Sequence, residues 1–217
     1  MAKFKQIEIK SFLDYKADIY ENENFIEDDP ISIPHLFSKK EDIEISGFIT
    51  ATISWGQRKT IIKNARQIME MMDLSPFDFI KNHSKMDLKP LSRFVHRTFN
   101  GTDLVFFVLS LKNIYINHGG LEKLFIPNNI NDNMSKVINQ MKSIFFSISH
   151  KHRTRKHISD PLKGSAAKRI NMFLRWMVRD DNNGVDFGLW KSIDKCFLSC
   201  PLDVHSGNIA RKLGMLK

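Results

Sequence analysis

The stretch GSAAKRINMFLRWMVR, Gly164 to Arg179, combines a turn signal with a helical pattern. A glycine and three small residues lead into a segment whose apolar side chains recur at helical spacing, with Ile170, Phe173, Leu174 and Met177 on one face. A glycine-containing turn that enters a helix can present unpaired backbone N–H groups to a phosphate. Most such turns simply connect two helices, so the rest of the chain decides between these interpretations.

Helical periodicity recurs along the chain, whereas strand signals are scarce. An apolar run extends from Asp42, a good N-cap, to Gly56, and a second helical pattern runs from Ile61 to Met72. Further helices are expected at residues 8–20, 76–82, 89–97, 102–117, 120–125, 134–148, 165–178, 186–195 and 204–213. Loops are expected at EDDPISIPH, IPNNINDN and RDDNNG, where Pro, Gly, Asn and Asp cluster. The sequence therefore predicts an all-α fold.

The 217-residue chain is basic, with a formal net charge of +9, and 42% of its residues are hydrophobic. This length and composition suit one large domain or two tightly packed lobes. A basic surface favours an anionic partner, nucleic acid first, because binding releases the counterions of the polyanion. The nearly all-basic segment SHKHRTRKH, residues 149–157, fits such a partner but is equally typical of a solvated helix end.

Several classes of protein are disfavoured. The N-terminus lacks an apolar signal region, and the longest apolar stretch, DLVFFVLSL from Asp103, is too short to span a bilayer. We therefore expect a cytoplasmic protein without a membrane partner. The spacing of Cys196 and Cys200 predicts one shared helix face, and two thiols are too few for a disulfide framework or a zinc site, so reduced, partly buried thiols are expected.

A second stretch, PLDVHSGNIARKLG from Pro201 to Gly214, places the carboxylate of Asp203 at the start of a basic helix. An Asp at this position caps the helix whatever its function, and the neighbouring amides also favour its charged form. Ser206 could supply the cap instead, so structure alone does not require a carboxylate there. Helix cap and catalytic group remain compatible interpretations of Asp203.

Together, GSAAKRINMFL and CPLDVHSGNIARKLG resemble the signature of the helix-hairpin-helix DNA glycosylases, the superfamily of endonuclease III and 8-oxoguanine glycosylase. In that family a Gly-Val-Gly-x-Lys-Thr-Ala hairpin opens one helix, and a Pro-Val-Asp-x-His segment opens another that ends in Arg-x-Leu-Gly. The resemblance implies that Asp203 is the catalytic aspartate and that Lys168 is the lysine that bifunctional members use as a nucleophile. The whole sequence also resembles a bacterial family of unknown function with similar HRTF, FLRWMVR and PLD-H segments.

A third segment, ITATISWGQRKTI from Ile49 to Ile61, resembles the Leu-Ser-x-Gln-Thr segment of the same glycosylases. By that resemblance Gln57 would fill the gap that an extruded base leaves in the duplex. Taken alone, Gln57 is an ordinary residue of a loop between helices.

The resemblance implies a two-lobed helical fold of the glycosylase type, formed by the single domain 1–217. One lobe would comprise residues 42–185, and the other residues 1–41 and 186–217, with Lys168 and Asp203 facing a cleft between them. Two departures from the family pattern stand out: Ala166 replaces the second hairpin glycine, and RDDNNGVDFGLWKSID lengthens the path from Lys168 to Asp203. No four-cysteine cluster follows, so no iron–sulfur centre, other metal or cofactor is expected.

The implied activity is removal of a damaged base from double-stranded DNA, with lyase cleavage at the abasic site as an additional step. A carboxylate near C1′ stabilises a cation-like sugar or activates a nucleophile. Lys168 would attack C1′ as a neutral amine and form a Schiff base. Lys163 is a rival nucleophile. The alternatives are a non-catalytic DNA- or RNA-binding protein and a scaffold whose basic surface is incidental.

The remaining candidates are side chains that would contact DNA or line a base pocket. The expected DNA contacts, which would also associate the protein with the nucleoid, are Gln57, Arg58, Lys59, Lys151, Arg153, Arg155, Lys163, Gly164, Ser165, Ala166, Arg169 and His205. The candidates for the base pocket are Trp55, His96, Arg97 and Trp176, although tryptophans at helical spacing more often lie in the core. Asp186 is expected to be a helix N-cap.

Overall fold

The computed structural model describes residues 6–127, 129, 132–180 and 183–216, and its architecture is mostly helical. The helices are α1 (Gln6–Tyr20), α2 (Lys40–Ile53), α3 (Arg58–Glu70), α4 (Pro76–Asn82), α5 (Leu88–Leu91), α6 (Gly101–Asn117), α7 (Leu121–Leu124), α8 (Met134–Phe145), α9 (Lys168–Val178) and α10 (Val204–Lys212). Short 3-10 turns lie at Glu23–Phe25, Pro30–Ser32, Pro34–Leu36, His152–His157, Pro161–Lys163 and Lys195–Phe197. The predicted predominance of helix is confirmed.

Helix α2 lies at the centre of the core. Every residue from Ile43 to Ile53 is buried, as expected for a helix that is packed on all sides. It packs against α3, α4 and α9, and Phe48 contacts aromatic rings from α6, α8 and α9. Gly47 allows the close approach of α9, because a Cβ atom at this position would lie 3.3 Å from Met177 Cε. This packing holds α9, and with it Lys168, against the centre of the molecule.

A two-stranded antiparallel hairpin replaces part of one predicted helix. The helix expected at 89–97 ends at Leu91, and β1 (Val95–His96) pairs with β2 (Phe99–Asn100). Arg97 in the connecting turn has φ 55°, in the left-handed region that helix formation excludes. Asn100 then caps α6, accepting a hydrogen bond from Asp103 N while Asp103 Oδ2 accepts one from Asn100 N. The prediction of a continuous helix over 89–97 was wrong.

The helix predicted at 186–195 is also absent from the described part of that segment. Its backbone instead follows the end of α9, with Phe187 N donating to Trp176 O and Trp190 N donating to Met177 O. Asp186 is not a helix N-cap, because its buried Oδ2 accepts hydrogen bonds from Arg175 Nε at 2.9 Å and Arg179 Nε at 2.5 Å. Tertiary partners therefore outweigh the helical pattern here.

The two cysteines do not share a helix face. Cys196 lies in the Lys195–Phe197 turn, Cys200 lies outside regular secondary structure, and both thiols are exposed. The prediction of partly buried thiols on one helix was wrong. No helix of the described residues is long and apolar enough to cross a membrane.

Candidate active site

The turn that leads into α9 is fixed by its own side chains. Gly164 adopts φ 79°, and Ala167, the residue before α9, adopts φ 44°, so the helix begins at Lys168 rather than at residue 165. Ser165 Oγ accepts a hydrogen bond from Ala167 N at 3.1 Å. Asn171 Nδ2 donates to the Ala166 carbonyl at 3.1 Å. These contacts hold the turn in place and project Lys168 from the first residue of the helix.

Asp203 uses its two carboxylate oxygens for two different partners. Oδ1 accepts a hydrogen bond from Ser206 N at 2.8 Å and so caps α10. Oδ2 accepts a hydrogen bond from Lys168 Nζ at 2.6 Å. The bond from Lys168, followed by the bonds from Ser206, holds the pKa of Asp203 well below its usual range. The carboxylate is therefore ionised at neutral pH while it both caps the helix and faces the amine.

Lys168 lines a cavity of about 360 Å³. Its walls include Trp55, Trp176, Arg58, Arg169 and Asp29. Trp176 is buried and Trp55 is half-buried. The volume falls within the roughly 300–1,000 Å³ that is typical of small-molecule sites. The structure thus brings together the candidate nucleophile, two of the predicted pocket residues and two of the predicted DNA contacts.

Arg169 forms part of the wall beside Trp55. Its guanidinium lies 4.7 Å from the Trp55 ring centroid and donates a hydrogen bond to the Thr52 carbonyl at the end of α2. Burial lowers the pKa of Arg169. A planar cation over the face of a tryptophan is a stabilising arrangement that also fixes the orientation of the ring.

His96 supports Trp55 from behind. It is buried, its ring meets the indole edge-on at 5.1 Å, and His96 Nε2 donates to the Trp55 carbonyl at 3.3 Å while Asn64 Nδ2 donates to His96 Nδ1 at 2.8 Å. Burial lowers the pKa of His96, so the ring is neutral near pH 7. Neither His96 nor Arg97 lines the cavity, and Arg97 is exposed and lies against Gly56.

The basic segment 149–157 turns part of its charge inward. Arg153 NH1 donates to the buried Asp103 Oδ2 at 2.7 Å, and Arg153 NH2 donates to the Thr98 carbonyl at 2.7 Å. Arg155 stacks over Phe146, with its guanidinium 4.9 Å from the ring centroid. Both predicted DNA contacts are therefore engaged within the protein.

The other predicted DNA contacts lie at the surface. Gln57, immediately before α3, and Lys59, within it, are exposed, as are Lys151, Lys163 and His205. Gln57 lies between Gly56 and Arg58, which both line the cavity. The backbone of the hairpin, Gly164 to Ala166, is also exposed.

Asp29 is a cavity residue that the sequence analysis missed. It precedes the Pro30–Ser32 turn, and its Oδ1 accepts a hydrogen bond from Ile31 N at 3.1 Å. Its side chain is 16% exposed, and Arg58 NH2 lies 3.9 Å from Asp29 Oδ2. The sequence around it, EDDPISIPH, signals only a loop and a cap, and the contact with the cavity arises from tertiary packing.

A comparison with protein-family models finds one family for this chain. The model described as "Protein of unknown function (DUF2400)" matches residues 29–217, including the segments of Lys168 and Asp203. The chain belongs to this family. The expected membership of a family of unknown function is thereby confirmed. Searches of curated proteins and of solved structures give no match.

The described residues offer no obvious metal centre. Among them, no group of three or more His, Cys, Asp or Glu side chains is placed to hold a metal ion. The arrangement that the site presents is instead an amine hydrogen-bonded to a carboxylate, beside a cavity with aromatic and cationic walls. An amine at this position can attack an electrophilic carbon once it has lost its proton.

Proposed function

We propose that this protein is a DNA base-excision glycosylase that also cleaves abasic sites through a Schiff base on Lys168. One observation supports the proposal above all others: Lys168 Nζ lies 2.6 Å from Asp203 Oδ2 and lines the cavity between Trp55 and Trp176. The helix-hairpin-helix resemblance pairs Lys168 with Asp203, which are 35 positions apart in the sequence, and these two side chains are in direct contact.

The chemistry requires a base and an electrophilic C1′. Lys168 attacks C1′ as a neutral amine, and the C1′–N bond of the base breaks with its electron pair leaving on the base. Lys168, whose side chain is 58% exposed, first gives up its ammonium proton to solvent, and the proton released from the attacking nitrogen also passes to solvent. Asp203 stays ionised and keeps its contact with that nitrogen. Opening of the sugar ring then yields the Schiff base. Before attack, the ionised Asp203 stabilises positive charge that develops on the sugar.

The cavity suits an extruded base. Trp55 and Trp176 offer apolar surface against which a flat ring can pack. This packing would offset part of the free energy that extrusion of a base costs, about a few kcal/mol. Arg58 and Arg169 add positive charge near the phosphates that flank an extruded nucleotide. Gln57 is exposed beside these residues, where it could fill the gap in the duplex.

The proposed DNA partner is a duplex that contains a damaged base or an abasic site. The exposed Lys59, Lys163 and His205 and the exposed hairpin backbone would contact phosphates, in keeping with the net charge of +9. Arg153 and Arg155 would contribute mainly through the segment that they hold in place.

Borohydride trapping on duplex DNA with an abasic site tests the proposal. The wild-type protein is expected to form a covalent complex, Lys168→Ala is expected to form none, and Asp203→Asn is expected to reduce trapping strongly. Lys168→Ala should leave the melting temperature unchanged, since its side chain is 58% exposed. Lys163→Ala is the contrasting variant: at saturating protein concentration it should still trap, because it removes a phosphate contact and not the nucleophile. Trapping that is lost in Lys163→Ala and retained in Lys168→Ala would contradict the assignment.

A non-catalytic nucleic-acid-binding protein is the second candidate. The exposure of the Lys168–Asp203 pair favours it, because a surface ion pair next to a helix cap needs no catalytic explanation. This candidate predicts salt-sensitive binding that survives the double change Lys168→Ala and Asp203→Asn, together with no trapping by the wild-type protein.

A further inference from the structure

Asp29 is the single acid among the described residues that line the cavity. The charged groups on the other walls are cations: Arg58, Lys168 and Arg169. One carboxylate oxygen, Oδ1, is occupied as the cap of the Pro30–Ser32 turn. Oδ2 lies 3.9 Å from Arg58 NH2, beyond hydrogen-bonding distance, so it keeps its capacity to exchange a proton with a molecule in the cavity.

The surroundings of Asp29 shift its pKa upward. Burial is the largest effect and raises the pKa of Asp29. The hydrogen bond from Ile31 N and the positive charges of Arg58 and Arg175 act in the opposite direction but do not cancel it, and the negative charge of Asp186 adds to the rise. A carboxyl group whose proton is retained to higher pH is suited to act as a general acid.

We infer that Asp29 is the general acid that protonates the departing base, an assignment that rests on the base-excision activity proposed above. The O–H bond of Asp29 breaks as its proton moves to a ring nitrogen of the base. At the same time the C1′–N bond breaks and leaves its electron pair on the base, which departs as a neutral molecule. The positive charge remains at C1′ for attack by Lys168, and the Asp29 carboxylate regains a proton from solvent.

The same surroundings define the class of base. A neutral purine has ring nitrogens that accept a proton, namely N3 and, where it carries no hydrogen, N7, and its flat double ring suits walls that include Trp55 and Trp176. The two arginines of the cavity, Arg58 and Arg169, disfavour a base that is already positively charged, since like charges repel in a partly buried site. The predicted substrate is therefore a damaged but neutral purine.

Separate measurements of base release and of abasic-site trapping test the role of Asp29. The substrates are duplexes that contain hypoxanthine, 8-oxoguanine, 7-methylguanine or a preformed abasic site. In Asp29→Asn, release of a neutral purine should fall by about 100-fold or more, the usual contribution of a general acid. Trapping at the abasic site should stay within about twofold of wild type, because no base remains to be protonated. Any release of 7-methylguanine, which is already cationic, should fall less.

Asp194→Asn is the matched control. Asp194 caps the Lys195–Phe197 turn through the same kind of bond, with Cys196 N donating to Asp194 Oδ1 at 2.8 Å, and it does not line the cavity. Both release and trapping should be unchanged in this variant. In the wild-type protein, release of a neutral purine should slow as the pH rises above the pKa of Asp29, and Asp29→Asn should lose this dependence.

Three outcomes would overturn the assignment of Asp29. They are an equal loss of release and trapping in Asp29→Asn, a loss of release smaller than about threefold, and a wild-type protein that traps abasic DNA but releases none of the bases. A wild-type protein that neither traps nor releases would refute base excision itself, and with it the role of Asp29. The two failures are therefore distinguishable.

Discussion

Removal of the buried carboxylate of Asp103 should destabilise the fold by a predictable amount. Asp103 is fully buried at the start of α6. Its Oδ2 accepts hydrogen bonds from Arg153 NH1 at 2.7 Å, His157 Nε2 at 3.1 Å and Asn100 N at 3.0 Å, and its Oδ1 accepts one from Thr154 Oγ1 at 2.7 Å. Asp103→Ala leaves all four donors without this acceptor.

The magnitude follows from these four donors. Arg153 is 38% exposed and can turn toward water, whereas the other three donors lie deeper in the protein. A buried donor that loses its acceptor costs about 1 kcal/mol or more, so we expect Asp103→Ala to lower the free energy of unfolding by about 3–5 kcal/mol. Asp103→Asn should cost only about 1–2 kcal/mol, because an amide oxygen at Oδ2 keeps three acceptor contacts and the Thr154 hydroxyl can reverse its role.

Urea unfolding of both variants at neutral pH provides the measurement. Asp78→Ala is the matched control, because Asp78 occupies the same third position of α4 but is exposed, so its loss should cost at most about 0.5 kcal/mol. A loss below about 1 kcal/mol for Asp103→Ala, or equal losses for the Ala and Asn variants, would refute this account of the network.

The same network gives a dependence on pH. Burial alone would raise the pKa of Asp103, but the hydrogen bonds from Asn100, Thr154 and Arg153 and the neighbouring His157, which is charged only at low pH, outweigh it and lower the pKa. The carboxylate therefore contributes its full stability above its unfolded pKa of about 3.9, and this contribution is lost as the pH falls through the lower folded value. The stability gap between wild type and Asp103→Asn should narrow below about pH 4.

Three further predictions concern the core, a buried histidine and a strained turn. Phe48→Ala should lower the free energy of unfolding by about 3–5 kcal/mol by calorimetry, since Phe48 is fully buried among aromatic rings, and a loss under about 1 kcal/mol would contradict its central place. Burial lowers the pKa of His157, so the unfolded chain is protonated at a higher pH than the folded protein, and the free energy of unfolding should fall as the pH drops below about 6.5. The urea midpoint of His157→Gln should therefore change less between pH 7 and pH 5 than that of the wild type. An equal change in both proteins would exclude His157 as the source. Leu74 is exposed with φ 49°, so Leu74→Gly should stabilise by about 1 kcal/mol, and a lowered melting temperature would disprove strain there.

Local sequence signals predicted the elements that depend mainly on their own residues. The apolar run from Asp42 corresponds to α2 and the long apolar stretch near Asp103 corresponds to α6, because helical periodicity suffices to define both. The prediction of Asp42 as an N-cap was wrong: α2 begins at Lys40, and Asp42 Oδ1 instead accepts a hydrogen bond from Phe77 N. The start of α9 was less predictable, since the left-handed conformation of Ala167 is imposed by the turn rather than by residue type.

Tertiary partners decided the elements that the sequence did not predict. The strands of the hairpin at Val95 and Phe99 have two residues each, too few for an alternating pattern to be recognised. Asp186 has the sequence context of a helix cap, but it instead accepts hydrogen bonds from Arg175 on α9 and from Arg179 immediately after α9. The sequence around Asp29 likewise indicates only the cap of a short turn. The packing of that turn, Pro30–Ser32, against α3 brings Asp29 to the cavity.

Part of the basic segment 149–157 is engaged inside the protein, next to the cavity wall. Arg153 and His157 bind Asp103, so they close the start of α6 and leave Lys151, His152 and Lys156 exposed to solvent. His157 also stacks on Trp55, with the ring centroids 6.1 Å apart, whereas His96 meets the same indole ring edge-on at 5.1 Å. Trp55 is thus held by two buried histidines whose lowered pKa values leave them neutral near pH 7. We therefore expect a substitution of His96 or His157 to alter the position of Trp55 in the cavity wall, although neither histidine lines the cavity.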